Sequence, residues 1–216
     1  MDLKPVLLAC HIAAGTAALI GAIVAVTAKG ARWRGNAHRY AGRLFVLGMT
    51  AVFLTAVPMA VMDGNLFLLL IAVFSMYLAF AGWRLAPTGP RIPGTADRVA
   101  VIFLLAAGAA MLGYGLHSLF SVPGKGAVLL TFGGIAVAMG VGEGRQLRRG
   151  WPKGRTRTAR HLTFMLAGTI ATVTAVSVVN FTTLPPLVTW LGPTVLITPL
   201  ISRWSRRAQA GERRPS

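Results

Sequence analysis

Long apolar runs separated by short polar segments dominate the chain. Seven of them read as helices: Pro5–Ala28, Tyr40–Met62, Leu66–Leu85, Val99–Phe120, Ala127–Val141, Leu162–Thr182 and Leu187–Ile201. Each is bounded by charge, Gly or Pro, and most approach the roughly 20 residues that cross about 30 Å of hydrocarbon. The pattern predicts an all-α fold: an integral membrane helical bundle of seven transmembrane helices. A single membrane domain is expected over residues 1–202, followed by a basic, solvated and mobile tail over 203–216. No repeat period of 20 to 50 residues is evident, so inverted repeats are not expected.

The polar segments give the orientation. If all seven runs cross, one side holds Lys29, Arg32, Arg34, Arg39 and Arg43, then Arg84, Arg91 and Arg98, then the cluster from Arg145 to Arg160, then Arg203 to Arg214. Together these are 20 of the 22 basic residues, and only Lys4 and Lys125 fall on the other side. The positive-inside rule then places the amino terminus outside and the carboxyl terminus in the cytoplasm, and an even number of spans breaks the segregation. Trp33, Trp83, Trp151 and Trp204 fall near the inner boundary and Trp190 toward the outer one, as interfacial anchors do.

Composition agrees with this reading. Hydrophobic side chains make up 55% of the 216 residues and charged ones only 12%, against about 25% charged in soluble domains. The net charge of +17 lies in loops between spans, so it reports topology and not nucleic acid; the partners it implies are the bilayer and anionic lipid at the cytoplasmic face. The first run is read as a retained anchor, because its leading segment carries one Lys beside one Asp and the basic cluster follows it. Leu7-Leu8-Ala9-Cys10 has too little chain before it for a lipoprotein signal. Cys10, the single cysteine, has no internal disulfide partner.

Ionisable groups inside a membrane are costly, which makes them functional suspects. Of five acidic residues, Asp2 and Glu212 lie in the tails, Asp63 and Asp97 at helix ends, and Glu143 near the inner end of the fifth run. None is expected at mid-membrane, which argues against a buried acidic relay. The glycine-rich stretch Gly140 to Gly144 opens no strand-turn-helix unit, so close helix packing is expected there and not nucleotide binding. No nucleophile elbow or carboxylate pair is present.

The four histidines divide evenly. His11 and His117 lie toward the outer ends of the first and fourth helices, His38 and His161 at the inner ends of the second and sixth. Neutral imidazole is a good ligand for haem iron, and two bis-histidine haems, one per face, make an electron path through a bilayer. Gly15 follows His11 by four residues, Gly42 follows His38 by four, and Gly113 precedes His117 by four, each offset pointing toward the membrane centre. Residues four apart share a helical face, so each of these histidines stands above a smooth patch against which a macrocycle can lie. His161 departs from the pattern, with Met165 at that offset and Gly168 one turn further in. The competing reading is of interfacial histidines meeting lipid phosphate, with small residues such as Gly15, Gly21, Gly42, Gly48, Gly108, Gly113 and Gly168 serving helix packing.

The stretch His38-Arg39-Tyr40-Ala41-Gly42-Arg43, with His11 and Gly15 before it, resembles an uncharacterised family of bacterial multipass membrane proteins. Arg160-His161 with Met165, and Trp190-Leu191-Gly192-Pro193-Thr194, resemble the same family. That resemblance implies a bacterial plasma-membrane protein and no particular activity. The histidine layout is also similar, at a distance, to diheme transmembrane cytochromes b that pass electrons from ascorbate or quinol. This implies haem b held by His11 with His117 and by His38 with His161, a membrane oxidoreductase, and a quinone or other electron donor as partner. No recognisable ascorbate or quinone site accompanies it.

Two other classes remain open on the sequence. One is a small-solute permease, favoured by a mid-membrane polar pocket lined by Thr172, Thr174, Ser177 or Asn180 but disfavoured because Pro58 is the one clear interior proline. The other is a noncatalytic protein whose basic face binds lipid or a partner.

Overall fold

The structure is a computed structural model that describes residues 3–28, 35–87 and 92–210. Seven helices follow one another: α1 (Leu3–Thr27), α2 (Gly35–Met62), α3 (Leu66–Arg84), α4 (Thr95–Leu119), α5 (Pro123–Arg149), α6 (Gly154–Asn180) and α7 (Pro186–Ala210). No strand occurs among the described residues. Lys29, Arg32, Trp33, Arg34, Arg91 and the tail residues 211–216 lie outside the described residues.

Six helices, α1 to α6, are long and apolar enough to cross a membrane. The seventh has the length but not the apolarity, because Thr and Pro interrupt its hydrophobic residues and Arg203, Arg206 and Arg207 occupy its last turns. Both Pro193 and Pro199 lie inside α7, so Pro58 of α2 is not the sole interior proline that the sequence implied. The helices also outrun the apolar runs. α5 continues from Val141 to Arg149 and α6 begins eight residues before Leu162, because backbone hydrogen bonding continues through polar sequence whereas hydropathy reads only the part suited to lipid. For the same reason the basic segment begins as helix, α7 carrying on through Arg203 to Ala210.

The chain forms two compact units, Met1–Ala79 and Phe80–Ser216, with the boundary inside α3. In the first, α1 and α2 run antiparallel in close contact. A Cβ on Gly21 would stand 2.8 Å from the Ala41 carbonyl oxygen and 2.8 Å from the Phe45 nitrogen; one on Gly48 would stand 2.9 Å from the Ala14 oxygen. Such approach leaves no room for a side chain and brings helix backbones together, the usual basis of helix association in lipid. Ala18, Ala22, Ala25, Phe45 and Met49 fill the seam.

In the second unit α4 packs on α5 and α6 on α7, with α5 also touching α7. Gly108 of α4 meets Ala136 and Val137 of α5, Gly133 meets Met111, and Gly140 meets Leu105; within the stretch Gly140 to Gly144 close packing is thus confined to Gly140, since a Cβ on Gly142 would meet nothing within 4 Å and one on Gly144 would stand an ordinary 3.8 Å from Val101 Cγ1. Leu104, Met111, Val128, Leu129 and Ala136 are almost fully buried between α4 and α5. By contrast, Leu47, Leu54, Ile102, Val195 and Leu196 are among many large apolar side chains left more than three-fifths exposed. An apolar surface of this extent is what a lipid environment accommodates and water does not.

Two ion pairs close one end of the second unit. Arg84 Nε and Nη2 donate to Asp97 Oδ1 and Oδ2 at 2.6 and 2.5 Å, and Asp97 Oδ2 also accepts the Gly94 amide at 2.7 Å. Arg157 donates to the carbonyls of Arg84, Leu85 and Ala86 at 3.2, 3.1 and 2.8 Å. These carbonyls belong to the last residue of α3 and the two that follow it, where helical partners run out. Arg160 pairs with the buried Glu143 and bonds Gln146, whose amide nitrogen donates to the Gly150 carbonyl at 2.7 Å. In the first unit Lys4 meets Asp63 at 2.6 Å, near the start of α1 and the end of α2.

Candidate functional site

Three of the four histidines are anchored through the same ring atom. In the first unit His11, half-buried on α1, has Nδ1 3.0 Å from Thr55 Oγ1 on α2. His38, half-buried near the start of α2, donates from Nδ1 to the Ala25 carbonyl on α1 at 2.8 Å. In the second unit His161 on α6 donates from Nδ1 to the Gly82 carbonyl of α3 at 2.7 Å. A carbonyl only accepts, so His38 and His161 carry their proton on Nδ1, and in the neutral ring the lone pair resides on Nε2. His117, exposed near the end of α4, has no such anchor among the described residues.

The antiparallel pairing of α1 and α2 explains the first two anchors. Each histidine sits near one end of the hairpin and reaches across the seam to the other helix, His11 to Thr55 and His38 to Ala25. Counted from position 11 to position 25, the two anchoring points are about 21 Å apart along α1 at roughly 1.5 Å per residue. The second unit has a similar separation of its two histidines. His117 lies by the α4–α5 turn and His161 by the α5–α6 turn, at opposite ends of α5. Within each unit the histidines are therefore held apart.

The small-residue pattern divides under the structure. Gly21, Gly48 and Gly108 are packing glycines, and Gly168 is buried. Gly42 and Gly113, each four residues from a histidine, are not: a Cβ on either would meet nothing within 4 Å. Gly15 is intermediate, with Val52 Cγ2 at an ordinary 3.8 Å. Met165, which takes the glycine's place beside His161, packs against Gly82, the residue that anchors that ring.

Axial ligation of haem iron would draw on two features, which occur together at His38. Ligating histidines commonly have their second ring nitrogen hydrogen-bonded to a carbonyl or a similar acceptor, which fixes ring orientation and tautomer. Beside His38 and His117, space is open at the position one turn away where a flat group needs it. Among the described residues no three His, Cys, Asp or Glu side chains converge on a metal-ion site, so a bare-ion centre of that kind has no ligand set there. A shallow apolar groove of about 420 Å³ runs between α1 and α2, lined by Ile20, Gly21, Val24, Ala37, Tyr40, Ala41 and Leu44; no histidine lines it.

Two of the polar side chains that a permease pocket requires donate to carbonyls of their own helix. Thr172 donates back to the Gly168 carbonyl and Asn180 to that of Val176, within their own helix, and the Thr174 hydroxyl is buried without a partner. The residues that sequence reasoning missed are the acceptors: Thr55, and the carbonyls of Ala25 and Gly82. Thr55, one of two threonines in the apolar run of α2, was the one available signal.

Neither family models, nor curated proteins, nor solved structures match this chain.

Proposed function

We propose that this chain is a multipass plasma-membrane protein that binds b-type haem and passes electrons across the bilayer. In this reading His11 with His117, and His38 with His161, supply the axial nitrogens of one haem toward each face, by the topology read from the sequence. Haem supplies one-electron chemistry when bound. The protein's part is to hold the ligand rings, keep water from them and set their basicity. The observation that carries the reading is the shared anchoring of His11, His38 and His161 through Nδ1.

The orientation belongs to the same proposal: seven spans, amino terminus outside, carboxyl terminus in the cytoplasm, as the distribution of Lys and Arg implies. Arg145, Arg148, Arg149, Arg155, Arg203, Arg206 and Arg207 are exposed at one end of the second unit. Glu143 and Asp97, the carboxylates of this unit among the described residues, are taken up by Arg160 and Arg84. That leaves an uncompensated basic surface suited to anionic lipid headgroups of the inner leaflet. A quinol or another small reductant is the class of donor such a protein takes.

Absorption spectroscopy tests the reading. Detergent-purified protein from cells with ample haem is expected to show a Soret band and, after dithionite, sharp α and β bands of low-spin haem b. A folded, monodisperse and colourless protein that takes up no added haem overturns it.

A further inference from the structure

We propose that Thr55 is a positioning residue for His11, holding its imidazole in the Nδ1–H tautomer so that Nε2 offers its lone pair to haem iron. The identity of the metal rests on the haem reading above; the tautomer rests on the local geometry.

Thr55 has one hydroxyl proton and three oxygen or nitrogen neighbours. Its Oγ1 stands 2.8 Å from the Ala51 carbonyl and 3.0 Å from that of Val52, both on its own helix, and 3.0 Å from His11 Nδ1. The two carbonyls cannot donate, so each contact with them is made only by the threonine proton, and back-bonding of this kind is the usual state of Thr in an apolar helix. With the proton so used, Oγ1 faces His11 through a lone pair. The remaining contact is satisfied when His11 Nδ1 donates, which leaves Nε2 as the unprotonated nitrogen of the neutral ring. The hydrogen bond also raises the basicity of that nitrogen.

A comparison within the same hairpin sharpens the role. His38 reaches the same tautomer through the Ala25 backbone carbonyl, an acceptor present whatever side chain occupies position 25. His11 instead meets a side chain, the Thr55 hydroxyl, with the Val52 carbonyl as a neighbouring backbone acceptor. Thr55 lies on α2, at the end of the hairpin away from His38, so its replacement acts on one histidine and leaves the anchor of the other untouched. The methyl group of Thr55 is preserved by Val, which is nearly isosteric and lacks only the hydroxyl.

The test compares wild type, Thr55→Val and Thr55→Ser as full-length chains in detergent. ¹⁵N NMR of ring-labelled histidines, in protein from haem-limited cells and assigned with single His→Gln variants, is expected to show His11 as the Nδ1–H tautomer. Thr55→Val shifts it toward Nε2–H and Thr55→Ser restores it. In haem-replete protein, Thr55→Val is expected to weaken haem retention at one site by about 10- to 100-fold and to raise the midpoint potential of that haem alone, with Ser again restoring both. An Nε2–H ring in wild type, or a Val variant unchanged in tautomer and potential, overturns the proposal. A tautomer that follows Thr55 in a protein that never binds haem upholds the hold on the ring and overturns the iron, so the two failures are told apart.

Discussion

Arg84 grips Asp97 with two parallel hydrogen bonds, 2.6 and 2.5 Å long, across the segment that joins α3 to α4. Asp97 is almost fully buried and its second oxygen also accepts the Gly94 amide, so this carboxylate organises both a neighbouring helix end and its own helix start. A carboxylate in the first turn of α4 also complements the helix dipole. Replacing Asp97 by Ala leaves the guanidinium without its partner in a mostly buried site, a change that typically costs about 3 kcal/mol or more. Thermal unfolding in detergent is expected to show a clear fall in midpoint for Asp97→Ala. A fall much smaller than that of the exposed Lys4–Asp63 pair on Asp63→Ala would contradict the role of the clasp.

Two glycines of α2 are expected to respond in opposite ways. Gly48→Ala places a methyl group 2.9 Å from the Ala14 oxygen and from Ala18 Cβ, an overpacking that costs about 1 to 3 kcal/mol. Gly42→Ala meets open space, and helix propensity favours Ala over Gly by up to about 1 kcal/mol. Unfolding midpoints should therefore fall for the first and stay level or rise for the second.

Gly42 also separates packing from cofactor binding. Gly42→Leu is expected to fold normally, because nothing stands where the side chain begins, yet to reduce haem content if a macrocycle lies against that face below His38. Gly113→Leu, four residues from His117, should behave likewise. Normal folding with unchanged haem content would place any haem elsewhere.

Much of this was legible in the sequence because lipid is an unforgiving solvent. The seven runs located the seven helices, and Gly21, Gly48 and Gly108 emerged as close-packing positions as expected. The helix ends were less legible. Hydropathy stops at Val141 or Ile201, whereas the backbone continues to Arg149 and Ala210. Pro193 and Pro199 read in the sequence as breaks, yet the backbone of α7 stays helical through both. The histidines could be found as residues, but not their partners. That Thr55 meets His11, and Ala25 meets His38, depends on the register of the α1–α2 hairpin, which the spacing of apolar residues leaves open. The carboxylate clasps were hidden for the same reason: Glu143 lies two residues from Arg145 in sequence, yet its partner is Arg160.

Orientation is open to a direct check. In a Cys10→Ser background, Ser121→Cys in the α4–α5 turn and Arg206→Cys near the end of α7 are treated on intact cells or right-side-out vesicles with a membrane-impermeant maleimide. Seven spans with a cytoplasmic carboxyl terminus predict labelling of the first and protection of the second. Labelling of both would mean that α7 does not cross.

The measurement that bears most directly on the central claim is the ratio of haem to protein, taken as the pyridine haemochrome in wild type, His11→Ala and His38→Ala. Two haems per chain in wild type and one in each variant, with the variants retaining different redox components, is the predicted result. A wild-type ratio near zero in folded protein, or a ratio unchanged by either substitution, would contradict it.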